Sequence, residues 1–428
     1  MSKSIRIAIV GSGVAGMTAL HYLNSKLKSD KNVEFFLIDP NPNFVFTPRL
    51  TELITGVTKE KYMVKPKSIF KDNERIHVIK ASAKEINLNS KQITVDRIIS
   101  KLNLKKGQII DYDYLLLAQG ASTNFWGIKG AKKFCFPYKE YPDAQKLKLE
   151  IFSHLNSESD EDLNITIAGA GPTGVELAFS ITDAIKAANK QRKKEGKSLK
   201  ENIKVHIVDS GEFMLKKLPS YFQKKSTSLA NKKKIFFHSK ERVKEVHRAH
   251  VDLVSGKKVS SQICIWTAGV TPNVILTVPN VVEDSGHIRV QRSMQVYPLK
   301  FPEVFAAGDC TLLEDISKKK SSKKKKNGGK MESVRVRKTY YPPTAQVASR
   351  QAEFASENMF VMIKNKKLGL NVPIKLKEFN YKSKGWFVEL GTKMALAQAG
   401  PIFFKEPVAW HARDKYYKYF FWKLMNGY

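Results

Sequence analysis

Two glycine-rich turns have the residue types and the spacing that bind the pyrophosphate of a dinucleotide. One runs Gly11-Ser-Gly-Val-Ala-Gly16 and the other runs Gly169-Ala-Gly-Pro-Thr-Gly174, each after an apolar stretch and before a helical pattern. The first glycine permits a tight bend, the second lets the backbone approach phosphates, and the third lets the helix pack on its strand. The helix N-terminus supplies N–H groups and a positive dipole end. The sequence therefore predicts two dinucleotide sites, whose glycines are Gly11, Gly13, Gly16, Gly169, Gly171 and Gly174.

An acidic residue ends the apolar strand that follows each turn. Asp39 comes after the first turn at about the distance expected for a ligand of ribose hydroxyls. Asp209 is farther along the chain from the second turn than Asp39 is from the first, because the Lys-rich stretch 190–200 is inserted between them. An acid at this position favours NADH, because it would repel the 2′-phosphate of NADPH, although Lys216 and Lys217 lie nearby. Two dinucleotides in one chain predict electron transfer between a nicotinamide and a flavin.

Two other motifs carry candidate functional residues. Glu176 lies one turn into the helix that follows the second glycine turn, where its carboxylate either faces a nicotinamide or is a solvated residue favoured by the helix dipole. Gly308 and Asp309 follow the apolar strand 304–307. Such a pair lets backbone approach a ribityl chain while the carboxylate binds its hydroxyls. The next residue, Cys310, is interpreted as a small buried thiol rather than a redox group.

Composition excludes several classes of protein. Of 428 residues, 42% are hydrophobic, which excludes a wholly disordered chain. The three cysteines, at positions 135, 264 and 310, have no CxxC spacing, so disulfide scaffolds, thioredoxin-type motifs and zinc ribbons are excluded and no metal site is predicted. The formal charge of +34 predicts an anionic neighbour, which could be a membrane surface, an acidic partner or nucleic acid, unless it reflects a generally Lys-rich composition.

Alternating strand and helix patterns predict an α/β fold with parallel sheets. We expect a discontinuous FAD-binding domain at residues 1–123 and 267–345, with an NADH-binding domain inserted at 124–266. A Lys-rich disordered loop is expected at 316–333. The C-terminal region 346–428 is expected to hold a helix, a hairpin and an amphipathic helix. Neither a signal peptide nor a transmembrane helix is predicted.

The last segment, Pro407–Tyr428, is rich in aromatic and basic residues. Trp and Tyr suit the headgroup zone of a membrane, and Lys and Arg suit anionic lipid. The pattern therefore predicts an interfacial helix, or alternatively a helix packed on the protein's own body or on a second subunit. One stripe of this helix would contain Trp410, Tyr417, Phe420, Phe421 and Leu424.

Taken in order, the motifs resemble those of flavoproteins with two dinucleotide-binding domains, and among these the type II NADH:quinone oxidoreductases. The resemblance covers most of the chain. It rests on 11–16, 46–56, 112–121, 168–178, 265–273, 304–310 and 342–349, the last being Pro-Pro-Thr-Ala-Gln-Val-Ala-Ser. It implies Rossmann-like domains, non-covalent FAD, NADH as donor and quinone as acceptor. It also implies a peripheral membrane protein, on the cytoplasmic or inner organellar face, and a homodimer.

The resemblance also implies roles for individual residues. FAD contacts are expected from Gly11, Gly13, Val14, Ala15, Gly16, Asp39, Arg49, Ala83, Ala118, Gly120, Gly308, Asp309, Ala345 and Gln346. NADH contacts are expected from Gly169, Gly171, Pro172, Thr173, Gly174, Glu176, Asp209, Ala268 and Gly269. Catalytic roles are expected for Glu176, Gln346 and Arg350. Two positions depart from the family pattern, since Arg350 stands where the family tends to have Gln and Arg49 replaces a usual apolar residue.

Two alternative functions are weighed against this one. A sulfide:quinone oxidoreductase is a related flavoprotein that uses catalytic cysteines, and the intact second dinucleotide motif argues against it. A flavoprotein like apoptosis-inducing factor, which binds nucleic acid or a partner, is supported only by the Lys clusters. Without a recognised nucleic-acid motif, binding to nucleic acid is the weaker expectation.

Overall fold

The structure, a computed structural model, describes most of the chain. The described residues are 4–57, 59–96, 109–159, 161–316, 339–370, 374–383 and 385–427. The predicted loop 316–333 lies almost entirely outside them. The mixed α/β fold predicted from the sequence is confirmed.

Two five-stranded parallel sheets form the frame of the molecule. The first sheet has the strand order Val304–Ala306, Tyr114–Leu117, Ile5–Val10, Val33–Ile38, Ile76–Ile79. The second sheet has the order Cys135–Pro137, Ile263–Trp266, Leu163–Ala168, Ile203–Val208, Ile235–His238. Their central strands are apolar runs buried along most of their length, as expected when helices or other layers cover both faces of a parallel sheet.

The described helices follow the chain from α1 to α8. They are α1 (Val14–Lys26), α2 (Glu52–Thr55), α3 (Ala131–Phe134), α4 (Tyr141–Asn156), α5 (Pro172–Lys194), α6 (Ser220–Lys232), α7 (Ala345–Lys367) and α8 (Val408–Asn426). Short 3₁₀ helices cover Thr47–Arg49, Glu60–Tyr62 and Lys67–Phe70. Each glycine-rich turn therefore leads from the central strand of a parallel sheet into a helix, α1 or α5.

Smaller sheets surround this frame. One sheet has the order Leu276–Val278, Ala83–Asn87, Gln92–Val95, Ile109–Asp111, and an antiparallel sheet has the order Val243–Val246, His250–Leu253, Lys258–Ser260. Two-stranded pairs join Ala121–Thr123 to Val270–Pro272, Asn43–Val45 to Val64–Pro66, and Ile288–Arg289 to Thr311–Leu312. The first of these pairs is antiparallel and joins the segment that leads from the first parallel sheet to the second with the segment that leads back.

The C-terminal region contains α7, three strands and α8. Thr344 caps α7 by accepting a hydrogen bond from Val347 N at 3.3 Å, as the sequence Pro-Pro-Thr suggests. The predicted hairpin gains a third, three-residue strand, so the antiparallel order is Gly385–Glu389, Ala395–Ala399, Ile402–Phe404. Among the described residues, no helix combines the length and the apolar character needed to cross a membrane.

The predicted lipid-facing stripe of α8 is instead packed on the protein's own body. Phe420, Phe421 and Leu424 are buried. Rings of Tyr417, Phe420 and Phe421 surround Phe46 at centroid distances of 5.5–5.9 Å. Trp410 packs beside the small residues of the C-terminal sheet. Of the two environments predicted for this stripe, the structure shows the packed helix, and the pattern alone could not decide because an apolar helix face is satisfied equally well by a protein core and by lipid.

Candidate functional site

The first glycine turn lies where the carboxyl ends of two central strands meet. Gly11 has φ +95°, and a Cβ atom there would stand 2.2 Å from Ala118 O. A Cβ on Gly16 would stand 1.9 Å from Gly11 O. Both positions therefore require glycine, the first for the bend and the second for the close packing of α1 on its strand. Ligands of open α/β sheets bind at this kind of junction, where the strand order reverses.

The N-terminus of α1 is open toward a cavity. Gly13 occupies the N-cap position, and none of the described side chains caps its helix. Nothing lies within 4 Å of where a Cβ on Gly13 would be. The first N–H groups of α1 are thus available to an anion, and the helix dipole favours negative charge there.

This main cavity has a volume of about 540 Å³ and extends from α1 to the N-terminal turn of α5. Its wall therefore brings together residues that lie far apart along the chain. The predicted site residues that line it are Gly11, Gly13, Val14, Ala15, Asp39, Ala83, Ala118, Gly120, Thr173, Glu176, Gly308, Asp309 and Ala345.

At one end of the main cavity, Asp39 is held by several donors. Ser12 donates to Asp39 Oδ2 from its N–H at 2.7 Å and from its hydroxyl at 2.8 Å. The buried ammonium of Lys67 lies 3.1 Å from Asp39 Oδ1. Burial lowers the pKa of Lys67, and Asp39 opposes this effect. Sequence reasoning missed Lys67, because nothing in the local pattern shows that it reaches back to Asp39.

The Gly308–Asp309 turn is fixed by two side chains that the sequence did not reveal. Gln351, buried on α7, accepts a hydrogen bond from Gly308 N at 2.8 Å. Lys139, from the segment before α4, places its ammonium 3.0 Å from Asp309 Oδ2. Lys139 also lines the main cavity. The carboxylate of Asp309 is thereby oriented and partly neutralised at the cavity wall.

A second, adjoining cavity of about 1060 Å³ shares Glu176, Thr173 and Asp309 with the main cavity. Its other walls include α7, α8, the C-terminal sheet and the segments 311–315 and 339–344, and they carry eight aromatic side chains. Gln346 lines this cavity, and its Oε1 accepts a hydrogen bond from Tyr381 Oη at 2.8 Å. The aromatic lining residues are Tyr340, Tyr341, Tyr381, Trp386, Phe387, Tyr416, Tyr417 and Phe420.

Glu176 stands at the junction of the two cavities. Its Oε1 accepts a hydrogen bond from Glu389 N at 3.0 Å. Burial raises the pKa of Glu176 to about 7, against the opposing effects of Arg413 and of the Glu389 N–H donor, while the nearby Glu52 raises it further. Near neutral pH this carboxyl group is therefore able both to hold and to release a proton.

Behind Glu176 lies a buried charge cluster, which we define as Arg49, Glu52, Glu389, Arg413 and Asp414. Arg413 reaches Glu52 at 2.7 Å and Glu389 at 2.9 Å. Arg49 reaches Glu52 at 2.9 Å and Asp414 at 2.7 Å. Burial raises the pKa of Glu389 to about 8, although Arg413 opposes the shift. The cluster ties α8 and the C-terminal sheet to α2, directly behind the cavity wall.

The second glycine turn has the same construction as the first. Gly169 has φ +109°, and a Cβ on Gly174 would stand 2.0 Å from Gly169 O. Gly171 is the N-cap of α5, and no described side chain caps it. Asp209 Oδ2 accepts a hydrogen bond from Ala170 N at 3.0 Å, and Lys216 lies 2.9 Å from Asp209 Oδ1. Burial acts to raise the pKa of Asp209, but these donors outweigh it and lower the pKa.

Several predicted residues are not brought to the cavities. In the described part of the chain, neither cavity is lined by Gly16, Arg49, Gly169, Gly171, Gly174, Asp209, Ala268, Gly269 or Arg350. Gly169, Asp209 and Ala268 instead lie together at the carboxyl edge of the second sheet. Arg49 belongs to the buried charge cluster. Arg350 points outward and pairs with Glu353 on the next turn of α7, while its neighbour Gln351 faces inward.

All three cysteines are buried and free. Burial raises the pKa of Cys310 to about 12, and the hydrogen bond with the Cys264 thiol, together with burial, raises the pKa of Cys135. None of the three lines the two cavities described above. Because the thiolate is the reactive form of cysteine, these thiols are poorly suited to covalent catalysis.

With the NADH:quinone activity that the sequence resemblance implies, replacing both Cys135 and Cys310 by alanine is therefore expected to leave turnover at the wild-type level. Stability should fall by about 1 kcal/mol for each buried thiol removed. Steady-state turnover of the double variant checks this, with the wild type run beside it. Loss of activity in a variant that still unfolds cooperatively would favour the cysteine-dependent sulfide chemistry.

Comparison with known proteins places the chain in a family. The model of the family "Pyridine nucleotide-disulphide oxidoreductase" matches residues 5–352, so the chain belongs to this family. A probable NADH dehydrogenase of Dictyostelium discoideum is 25% identical over 402 residues, which cover 92% of this chain and 80% of the relative. A type II NADH:quinone oxidoreductase of Haemophilus influenzae is 24% identical over an alignment of 430 positions. This alignment covers 94% of this chain and 88% of the relative. The predicted resemblance to the type II enzymes is thereby confirmed.

A solved structure shows the same fold. NDH2 from Plasmodium falciparum, determined in complex with NADH, superposes with a TM-score of 0.78 at 20% identity. The match covers 99% of this chain and 98% of the other.

Proposed function

We propose that the protein oxidises NADH and reduces a quinone, as a type II NADH:quinone oxidoreductase that does not pump protons. The observation that carries this proposal is the cavity system. Residues of α1, from the first glycine turn, and of α5, from the second, line one cavity, and that cavity adjoins a larger aromatic one at Glu176. Two dinucleotides and an apolar acceptor can therefore approach a common point.

The main cavity fits FAD. The uncapped N-terminus of α1 and the space above Gly13 suit a pyrophosphate, and Asp39 at one end suits ribose hydroxyls. Asp309, oriented by Lys139, suits the ribityl hydroxyls. Bound there, FAD would supply two-electron chemistry between a nicotinamide and a quinone. In this organisation the first sheet belongs to an FAD-binding domain and the second to an inserted NADH-binding domain.

The second glycine turn would hold NADH. The uncapped N-terminus of α5 offers its N–H groups to the pyrophosphate, and Asp209 lies beside it for the adenosine ribose. The negative charge of Asp209 favours NADH over NADPH, but Lys216 compensates part of that charge. Thr173 and Glu176 then face the reacting end of the nicotinamide from the first turns of α5.

The adjoining cavity would hold the quinone ring. Its aromatic walls suit a flat apolar ring, and Gln346 and Tyr381 provide polar groups for the quinone oxygens. Glu176 borders the same cavity, and quinone reduction by NADH takes up one proton from outside for each turnover. A carboxyl group with a pKa of about 7 at this place is suited to delivering that proton.

Replacing Glu176 by glutamine is expected to slow quinone reduction by about 100-fold. In the wild type the rate should fall as the pH rises above about 7, because the carboxyl group loses its proton. In Glu176→Gln that fall should disappear. The check is stopped-flow reoxidation of NADH-reduced enzyme by a short-chain quinone, and a variant that keeps both the rate and its pH dependence would contradict the role.

The proposed activity is tested by steady-state turnover of the purified full-length protein with three donors. NADH, NADPH and sulfide are each supplied with the same short-chain quinone. The proposal expects turnover with NADH to exceed turnover with the other two. Turnover with sulfide alone would refute it.

We also propose that the surface around α8 contacts an anionic membrane. Trp422 and Tyr419 are exposed on the face opposite the buried stripe. Beside Trp422 lies a third cavity of about 470 Å³, whose basic lining residues are Lys61, Lys65 and Lys418. Exposed aromatic and basic residues in one patch are typical of the membrane interface. Two further expectations, that the protein forms a homodimer and that it binds the cytoplasmic or inner organellar face of the membrane, stay predictions.

Replacing Lys61 and Lys65 together by glutamine is expected to weaken binding to anionic vesicles by about 30-fold, since each basic residue near the surface contributes about 1 kcal/mol. The matched control is Lys193→Gln/Lys194→Gln, which removes the same charge at the end of α5. Vesicle co-sedimentation measures both. Equal weakening in the two double variants would show that net charge matters rather than this surface.

A further inference from the structure

A hairpin far along the chain from the glycine turns brings two imidazoles and two carboxylates together. Glu245 and Asp252 are cross-strand partners in the antiparallel pair Val243–Val246 and His250–Leu253. His247 N donates to His250 O at 2.9 Å, so these two residues face each other at the turn. Because alternate residues of a strand share one face, all four side chains project from the same side. We call these four residues the hairpin cluster.

The potential ligand atoms of the hairpin cluster converge. His247 Nε2 lies 3.1 Å from Asp252 Oδ2, and His250 Nε2 lies 3.6 Å from Asp252 Oδ1. One ligand atom from each of these three residues lies within 4.8 Å of the other two. Glu245 Oε1 is 3.7 Å from His247 Nε2 and offers a fourth ligand. Two nitrogen or oxygen ligands of one tetrahedral zinc ion are roughly 3.3 Å apart, so the arrangement is close to a binding geometry.

Two details of the hairpin cluster point to a cation. Asp252 Oδ1 is shielded from solvent and accepts no hydrogen bond from the described residues. The His247 and His250 rings are stacked with centroids 4.3 Å apart and an interplanar angle of 15°. This stacking places the Nε2 atoms of both rings beside the same carboxylate, at 3.1 Å and 3.6 Å from oxygens of Asp252.

We propose that the hairpin cluster binds a divalent transition-metal cation of the zinc type, at a site separate from the two cavities. Two imidazole nitrogens with carboxylate oxygens are the ligand set that such metals prefer, whereas Mg²⁺ and Ca²⁺ prefer all-oxygen sites. Lys129 pairs with Glu245 at 2.9 Å, and Lys258 lies 4.0 Å from Asp252, so both ammonium groups compete with the cation. No metal site was predicted from the sequence, because only the fold places these residues across one turn from each other.

The test is equilibrium dialysis of the full-length, flavin-loaded protein against Zn²⁺, followed by metal analysis. We expect one Zn²⁺ per chain, bound in the presence of excess Mg²⁺. His250→Asn and Asp252→Asn should each weaken binding by at least about ten-fold. Lys258→Gln should strengthen it. The matched control is His154→Asn, which alters a half-buried histidine that lies 3.5 Å from Glu150, outside the hairpin cluster, and should leave binding unchanged.

A second measurement separates lost binding from lost folding. Zn²⁺ should raise the thermal midpoint of the wild type and of His154→Asn but not that of His250→Asn, because only a ligand of the folded state stabilises it. Absence of stoichiometric Zn²⁺ in the wild type would overturn the proposal, as would unchanged binding in a folded His250→Asn variant.

Discussion

Replacing Arg413 by methionine is expected to lower the free energy of unfolding by about 3–5 kcal/mol. The guanidinium is fully buried and lies within 3 Å of carboxylate oxygens of both Glu52 and Glu389. Its removal leaves Arg49 as the remaining described partner of Glu52 and takes the guanidinium away from the buried Glu389 carboxyl group, which costs far more than the loss of a solvent-exposed pair. Urea unfolding followed by tryptophan fluorescence measures the change.

Matched variants make the Arg413 prediction specific. Arg350→Met breaks the pair between the exposed Arg350 and the half-buried Glu353, which still has Lys423 at 3.5 Å, and should cost less than about 1 kcal/mol. Adding Glu389→Gln to Arg413→Met should recover part of the loss, because an amide cannot ionise in the buried position beside the missing guanidinium. Should Arg413→Met fail to fold, Arg413→Lys keeps the charge and serves in its place. Equal losses for Arg413→Met and Arg350→Met would contradict a stabilising role for the buried charge cluster.

Placing a carboxylate at each glycine N-cap is expected to disable one dinucleotide site at a time. Gly13 and Gly171 both have extended backbone angles that any residue adopts, and nothing lies within 4 Å of a Cβ at either position. Glutamate there should therefore be tolerated by the fold while its charge opposes the pyrophosphate. A like-charge contact of about 3 kcal/mol corresponds to about a 100-fold loss of affinity.

Each of the two variants should lose a different dinucleotide. Gly13→Glu should be purified with little flavin, whereas Gly171→Glu should keep its flavin and show about a 100-fold higher KM for NADH. Chemical reduction by dithionite should still bleach the flavin of Gly171→Glu, which shows that the flavin site is intact. Normal flavin content in Gly13→Glu, or a normal KM in Gly171→Glu, would contradict the assignment of the two turns.

Local sequence patterns predicted the parts of the site that depend on backbone conformation. The glycines of both turns, Asp39 and the Gly308–Asp309 turn are each defined by a few neighbouring residues, and the structure places the first turn, Asp39 and Gly308–Asp309 around one cavity. The strands and helices that carry these residues could also be predicted from the sequence, because a long apolar run followed by a glycine turn is compatible with few other structures.

Side chains that reach across the fold were not predictable in this way. Lys139 reaches Asp309 over a separation of 170 residues, and Arg413 reaches Glu52 over 361. No local pattern records such pairs. The case of Arg350 is different, because on a helix of 3.6 residues per turn one position changes the direction of a side chain by about 100°. That rotation directs Gln351 inward and Arg350 outward.

The most direct test of the proposed function is an anaerobic visible spectrum of the purified protein. It is recorded before NADH, after NADH and again after a short-chain quinone. We expect oxidised flavin bands that bleach with NADH and return with quinone, which would demonstrate both halves of the reaction in one sample. Flavin bands that NADH leaves unchanged, or a protein purified without flavin under conditions that keep it folded, would contradict the proposed function.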